Sequence, residues 1–274
     1  MIHLGLIGYP LGHSLSPKIH TAALKACGLH GDYSLFPIHP DDKPGLKKLL
    51  DQVRAYEITG LNVTIPYKQN VISLMDDLTP TAKSIGAVNT IYMKHEKLIG
   101  DNTDAQGFLS DVKKYIGNQE LGIRKSALVL GAGGSARAIV YALLNDYWNV
   151  TIAARRIEQA QELSAQFKNT NAVELNFQTF QPSNLQLIVN TTPVGMTPLP
   201  DESPLPENTS LSSHTIIYDL VYNPRETKLV KDARAHGLSA TTGLGMLIEQ
   251  AALAFEIWTG FNPPRDVLYT SVVE

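Results

Sequence analysis

One cysteine, Cys27, stands alone in 274 residues. It can close no internal disulfide, and a zinc site built on cysteines is excluded. Positive charge is not in excess either: 23 lysines and arginines face 26 aspartates and glutamates, a formal charge of −3. Without that excess little drives phosphate-backbone binding, so nucleic acid is not expected as a partner. The histidines are scattered and form no HExxH pair, so no metal site is expected. No apolar run approaches the roughly 18 residues that a membrane span needs, so no membrane partner is expected. Met1-Ile2-His3-Leu4 lacks a basic n-region and the apolar stretch behind it meets Pro10, so no secretory signal is expected. Neither an internal repeat nor a low-complexity tract is found. The hydrophobic share, 43%, is ordinary for a globular chain, and the length suits two domains of about 100–200 residues each. A cytoplasmic enzyme or small-molecule binder remains.

Short apolar runs rich in β-formers alternate with segments of helical period, which predicts an α/β fold with mostly parallel strands. The predicted strands of the first third are Leu4–Gly8, Tyr33–Pro37, Ile58–Val63 and Val88–Tyr92, with helices near Pro17–Ala26 and Asp42–Val53. Pro17 suits the first turn of a helix, where its missing N–H has no partner to lose. Further on, Ala127–Leu130, Val150–Ala153, Leu187–Asn190 and Ile216–Leu220 read as buried strands, and a helix runs to Leu144. Pro193–Pro206 is rich in proline and turn residues and is expected to be a surface loop near a site mouth. The last long helix, Gly245 to about Trp258, is apolar on most faces and is expected to pack back on the first domain. The domains are therefore expected at 1–104 plus 243–274 and at 105–242.

Gly131-Ala132-Gly133-Gly134-Ser135-Ala136 follows a predicted strand and opens a predicted helix. That context favours a dinucleotide-binding turn over an ordinary strand-to-helix turn: Gly131 for the tight turn, Gly133 for close approach of a pyrophosphate, Ala136 for close helix–strand packing. After the next strand, an NAD site of this kind wants Asp or Glu to hold the ribose 2′-hydroxyl. The sequence instead reads Ala153-Ala154-Arg155-Arg156, with Arg155 lying 24 positions after Gly131. Two arginines can clamp a 2′-phosphate, so NADP(H) is the expected cofactor. The plainer alternative is a solvated basic turn.

The first third also spends polar residues where a plain fold does not need them. Ser14 and Ser16 precede a helix; Ser16 can be its N-cap, whereas Ser14 has no such duty. Thr64 and Lys68 follow a buried strand at its carboxyl end, where open α/β sheets bind ligands. Asn89-Thr90 and Gly100-Asp101-Asn102-Thr103-Asp104 add an amide and two carboxylates, for which turn and cap chemistry is the ordinary explanation.

These residues fall into ordered motifs. They are Ile7-Gly8-Tyr9-Pro10 with His13-Ser14-Leu15-Ser16-Pro17, Gly60-Leu61-Asn62-Val63-Thr64-Ile65-Pro66-Tyr67-Lys68, Ile85-Gly86-Ala87-Val88-Asn89-Thr90, and Asn102-Thr103-Asp104-Ala105-Gln106-Gly107. The glycine turn, Asn190-Thr191-Thr192-Pro193-Val194-Gly195-Met196, Asp219-Leu220-Val221-Tyr222-Asn223-Pro224 and Gly243-Leu244-Gly245-Met246-Leu247-Ile248-Glu249-Gln250 continue the series. In this order they resemble the shikimate dehydrogenase family from about residue 5 to residue 260. The resemblance implies two α/β domains, the second of Rossmann type, with the active site in the cleft between them. It implies reversible reduction of 3-dehydroshikimate to shikimate by NADPH, a step of aromatic amino-acid biosynthesis. By motif, Ser14, Ser16 and Tyr222 would hold the substrate carboxylate, Thr64, Asn89 and Gln250 would complete the pocket, and Lys68 and Asp104 would be the catalytic pair. Gly243 would lie close to the nicotinamide and Met246 would shape the ring pocket, with Thr191 and Val221 counted among the cofactor contacts. The family usually shows Asn-Arg-Thr or Asn-Arg-Ser after the second Rossmann strand. Ala154-Arg155-Arg156 keeps the phosphate-binding arginine and loses the asparagine, a contact Arg156 can replace in part. Thr21 replaces the asparagine that commonly follows the motif histidine.

Hydride transfer to a ketone builds negative charge on oxygen, and a positioned lysine ammonium can supply the proton there. The nearest rival reading is an NAD-preferring quinate/shikimate dehydrogenase, which is expected to carry a carboxylate after the second strand; Ala154–Ile157 has none. A catalytically silent NADP(H)-binding sensor has no reason to keep Lys68, Asp104 and Gln250 together. A hydrolase is disfavoured because neither serine stretch completes GxSxG. No interface can be read from the chain, and a monomer or homodimer is expected.

Overall fold

In the computed structural model, residues 1–116, 125–175, 185–206 and 209–273 are described. Among them the order is β1 (Ile2–Gly8), α1 (Ser16–Ala26), β2 (Gly31–Pro37), α2 (Lys43–Arg54), β3 (Gly60–Val63), α3 (Tyr67–Asn70), β4 (Asp77–Leu78), α4 (Pro80–Ile85), β5 (Thr90–Lys94), β6 (Lys97–Asp101) and α5 (Asp104–Ile116). Then come β7 (Ser126–Leu130), α6 (Gly134–Asn145), β8 (Asn149–Ala154), α7 (Ile157–Gln166), β9 (Thr170–Glu174), β10 (Leu187–Asn190), β11 (Ile216–Asp219), α8 (Lys228–Ala235) and β12 (Ser239–Thr242). The chain closes with α9 (Leu244–Thr259) and α10 (Arg265–Val273). It divides into two compact units, one of Met1–Gly107 with Leu247–Glu274 and the other of Phe108–Met246.

The first unit holds a six-stranded sheet in the order β2-β1-β3-β5-β6-β4. β2, β1 and β3 are parallel, but β5 runs antiparallel to both β3 and β6. The expectation of mostly parallel strands holds, with β5 as the exception. The hairpin turn is His95-Glu96, both at positive φ (48° and 61°), a geometry that usually advertises itself as Asn-Gly or Asp-Gly. Without that signal Lys97–Asp101 escaped notice as a strand, and Gly100-Asp101 read as turn. α2 lays Leu46, Leu49, Leu50 and Val53, an i, i+3, i+4, i+7 stripe, onto Ile7, Leu61, Val63, Ile91 and Leu98 of the sheet. Asp42 caps it, its side chain accepting from the Gly45 N–H at 2.9 Å. From Leu247 onward α9 belongs to this unit, as its apolar sequence predicted, and Trp258 Nε1 donates to the Ile91 carbonyl at 3.2 Å.

A correction concerns α1. Ser16 is its first helical residue, not its cap, and Leu15 holds the cap position without a side-chain bond. The Ser16 N–H is instead taken by Ser14 Oγ at 3.2 Å, so the local duty falls to the serine for which none was expected. One turn further, His20 is fully buried, stacked on Tyr33 with ring centroids 4.3 Å apart and planes within 1°. Burial holds its imidazole down to about 3, the Asn62 amide offsetting a little of this. The folded state therefore refuses a proton that the unfolded chain takes up at about pH 6.5, and stability is lost as pH falls below that value. Between pH 7.5 and pH 5 this costs about 2 kcal/mol. Urea unfolding at the two pH values is expected to show that loss in the wild type and to show it reduced by about that amount in His20→Phe. Identical pH dependence in the two proteins would assign the acid sensitivity elsewhere.

The second unit is a six-stranded parallel sheet in the order β12-β11-β10-β7-β8-β9. Renumbered within the unit this is the doubly wound dinucleotide-binding arrangement, with order reversing between β7 and β10. Its central strands are largely apolar and buried, as strands covered on both faces tend to be, with Asn190 and Asp219 the polar residues at the ends of β10 and β11. Leu128, Leu130, Ile188 and Ile217 meet Leu229, Val230 and Ala233 of α8. Residues 193–206 form no helix or strand, as predicted, and tuck Pro204 and Leu205 inward.

Candidate active site

In the first unit the antiparallel turn of β5 has a chemical consequence. β3 ends at Val63, β5 begins beside it at Thr90, and Thr90 pairs with Asp101 at the end of β6. Three chain segments therefore leave or enter the sheet at one edge: Thr64–Lys68, Asn89 and Asn102–Asp104. β1 ends at the same edge, Ile7 pairing with Val63, and the Thr64 N–H donates to the Ile7 carbonyl at 2.9 Å. The loop that carries Ser14 and leads to Ser16, the first residue of α1, starts there.

Lys68 and Asp104 meet as an ion pair, Nζ to Oδ2 at 2.6 Å, with side chains 14% and 5% exposed. Low exposure spares such a pair the solvent screening that makes surface pairs worthless. Both partners are anchored. The Lys68 carbonyl accepts from the Val88 N–H at 2.7 Å, and Tyr67 is buried with its hydroxyl on the Ile38 carbonyl. Asp104 opens α5, where the helix dipole favours a carboxylate, and its N–H is held by Asn102 Oδ1 at 3.0 Å. Asn102 thus has its turn role, and its own amide donates to the Ala87 carbonyl.

Asn89 organises this edge. Its Nδ2 lies 2.9 Å from Asp104 Oδ1, 2.9 Å from Thr103 Oγ1 and 3.4 Å from Gln250 Oε1, while its Oδ1 accepts from the Thr103 N–H and Thr90 Oγ1. Gln250 reaches the cluster because α9 crosses α5 at Gly107, where an added Cβ would stand 2.8 Å from both the Cβ and the backbone nitrogen of Gln250. Lys68, Asp104, Asn89 and Gln250 are thus joined by hydrogen bonds. Ser14 and Ser16 share the sheet edge without a bond to that cluster among the described residues, and Thr64 packs its methyl against the Gly8 backbone. Sequence reading missed the supporting Thr90 and Thr103 hydroxyls and Asn62, whose amide donates to the Asn89 carbonyl. Their signal was polarity at strand ends too buried for solvent.

In the second unit Gly131, Arg155, Thr191, Val221 and Gly243 follow the carboxyl ends of neighbouring strands. Gly131 adopts φ +110°, and a Cβ there would meet Thr191 Oγ1 at 2.6 Å. Thr191 spends its hydroxyl on the Leu130 carbonyl at 2.7 Å. Gly133 sits at the N-cap of α6 without a side-chain cap, and a Cβ on it would meet nothing within 4 Å. That leaves open space in front of uncapped N–H groups, with no acidic residue in the first turn to oppose an anion. Arg155 and Arg156 are exposed just past β8 and form no ion pair among the described residues. Ala132 completes the turn, Gly134 and Ser135 open α6, and Ala136 is fully buried. Gly243 passes so close to Leu220 that a Cβ would stand 2.5 Å from its carbonyl oxygen, and Met246 is buried. This donor set fits a dinucleotide carrying an additional phosphate.

Three family models cover most of the chain: the shikimate dehydrogenase substrate binding domain matches residues 6–91, shikimate / quinate 5-dehydrogenase matches 116–203, and the shikimate 5'-dehydrogenase C-terminal domain matches 243–272. The NADP(+) shikimate dehydrogenase of Carboxydothermus hydrogenoformans is 40% identical over 98% of this chain and 95% of its own. The chain belongs to the shikimate dehydrogenase family. A solved shikimate dehydrogenase of Thermus thermophilus, in complex with NADP(H) and shikimate, superposes with a TM-score of 0.86 at 36% identity, covering 99% of this chain and 98% of that one. A quinate dehydrogenase of Corynebacterium glutamicum in complex with NAD reaches 0.88 at 31% identity, covering 99% and 98%. This shikimate dehydrogenase homologue departs from a carboxylate-bearing NAD site at Ala154-Arg155-Arg156. Among its described residues no helix is long and apolar enough to cross a membrane, and no cluster of His, Cys, Asp or Glu suits a metal.

Proposed function

We propose that this protein is an NADP(H)-dependent oxidoreductase that interconverts 3-dehydroshikimate and shikimate. The observation that carries the reading is the Lys68–Asp104 pair, shielded from solvent and tied through Asn89 to Gln250. NADPH, when bound, supplies the hydride that reduces the ketone carbon. Lys68 donates a proton to the carbonyl oxygen as charge builds there and takes it back in the oxidation. Asp104 aims the ammonium and is itself aimed by Asn89 and Asn102. Gln250 and Thr64 read the ring hydroxyls. Ser14, Ser16 and Tyr222 bind the carboxylate by hydroxyl donors; burial pushes the Tyr222 phenol up, which keeps it a neutral donor.

In this reading 1–104 with 243–274 is the substrate domain and 105–242 the cofactor domain. Gly131, Ala132, Gly133, Gly134, Ser135 and Ala136 cradle the pyrophosphate, Arg155 and Arg156 hold the 2′-phosphate, and Thr191, Val221, Gly243 and Met246 line the nicotinamide end. Both domains contribute, since Lys68, Asp104, Ser14 and Ser16 belong to the first and the glycine turn, Arg155 and Tyr222 to the second. A cytoplasmic location and a monomer or homodimer belong to the same proposal.

The test is absorbance in the NADPH band while the purified protein oxidises shikimate, with NADP⁺ and NAD⁺ side by side and quinate as control. Fast reduction of NADP⁺ by shikimate alone is expected. Quinate turnover with NAD⁺ would replace the substrate and cofactor assignments, and silence with every pair in protein that binds NADPH would replace catalysis by sensing.

A further inference from the structure

Asp219 ends β11 fully buried, and the chemistry above makes no use of it. Its Oδ1 accepts from the Val221 N–H at 3.0 Å and from Asn190 Nδ2 at 2.8 Å, and its Oδ2 accepts from Thr227 Oγ1 at 2.7 Å. Each donor belongs to a different segment. Asn190 ends β10 and fixes the residues behind it: its Oδ1 accepts from the Thr192 N–H (3.0 Å) and Thr192 Oγ1 (2.7 Å), and its Nδ2 reaches the Val194 carbonyl (3.3 Å). Val221 opens the turn that carries Tyr222. Thr227 caps α8.

Three donors converge on one side chain, and an ionised carboxylate accepts from all of them in charge-assisted bonds. An amide or a protonated acid meets the same groups only if the Thr227 hydroxyl turns round to accept, and the bonds are then the weaker, neutral kind. We propose that Asp219 is a positioning residue: ionised, it holds the Thr191–Val194 and Val221–Tyr222 segments in the shape that receives the cofactor, and protonation releases them. This rests on the cofactor assignment made above. Burial pushes the Asp219 carboxyl up to about 6, with the bonds from Thr227, Val221 and Asn190 pulling the other way. Release therefore falls close to neutral pH. The groups that meet the carboxylate are uncharged. The ionisable side chains on the same segments are Tyr218, Tyr222, Arg225, Glu226 and Lys228; Tyr218 bonds Asp111, Glu226 pairs with Arg234, and Lys228 pairs with Asp232.

The experiment is NADPH binding, read by its fluorescence from about pH 5 to about pH 8, in the wild type, Asp219→Asn and Thr227→Val. At the alkaline end Asp219→Asn is expected to bind about fivefold more weakly, and the ratio to wild type to close toward one with a midpoint near 6. Titration of the cofactor's own phosphate cancels in that ratio. Thr227→Val removes a bond that holds the carboxyl down, so its midpoint is expected above that of the wild type. A ratio that does not change with pH, equal binding at the alkaline end, or a Thr227→Val midpoint at or below wild type would overturn the proposal. If Asp219→Asn does not fold, the Thr227→Val midpoint decides alone. Failure of the dehydrogenase reading looks different: NADPH binding still titrates while shikimate is not oxidised. Absence of NADPH binding in the wild type removes both.

Discussion

Lys68→Ala is expected to lower turnover of shikimate about a hundredfold or more while leaving the NADPH dissociation constant within about twofold of wild type. The size follows from what is removed. General acid catalysis at a developing oxyanion contributes about 10²–10⁴-fold, and no other described cation pairs with Asp104 to take over the proton. The selectivity follows from where Lys68 sits: on α3 at the edge of the first sheet, far in sequence from the glycine turn and its arginines. Removing the ammonium also leaves Asp104 buried without its counter-charge, which costs stability. Thermal unfolding must therefore accompany the kinetics, and Lys68→Met, which keeps the apolar stem, separates lost chemistry from lost packing. A loss of only a few fold in both variants would remove Lys68 as the acid and base.

The second large effect is on cofactor choice. Arg155→Ala is expected to raise the Michaelis constant for NADP⁺ about tenfold and to leave that for NAD⁺ within about twofold. A hydrogen bond to a charged group contributes about 1.5–3 kcal/mol, and the exposure of Arg155 places it at the lower end of that range. Arg156 stands beside it, so the double variant is expected to exceed the single one. Raising ionic strength is expected to narrow the gap between the cofactors, because exposed charges are screened over about 10 Å at 0.1 M salt. Equal effects on both cofactors would dissolve the 2′-phosphate assignment.

The glycine turn was legible in the sequence because each small residue there answers a separate steric demand: Gly131 a positive φ against Thr191, Ala136 a fully buried packing site. The four inner strands of the second sheet were legible for a related reason, since strands covered on both faces are largely apolar, whereas the edge strands β9 and β12 are polar and carry no such run. The β5–β6 hairpin was not, because His95 and Glu96 adopt a turn that their side chains do not favour. Local chemistry also hides which of two near neighbours does a job: either Ser14 or Ser16 could serve the start of α1, and only the backbone decides for Ser14. Motif positions pointed to Lys68, Asp104, Asn89 and Gln250, but no sequence rule says that Asn89 is the joint on which the other groups hang. That depends on β5 running backwards, a non-local fact.

Gly107 gives the pocket a second dial. Alanine at that position meets the backbone of α9 and not a yielding side-chain tip, so one helix must slide past the other. The Asn89–Gln250 contact, already 3.4 Å long, is the first to open. If Gln250 reads the ring hydroxyls as proposed, its reach is set by a missing methyl group on another helix, independently of the amide's own chemistry. Divergence toward other hydroxyl patterns is then expected to couple positions 107 and 250, and a library that varies one while freezing the other is expected to miss the combinations that work only together.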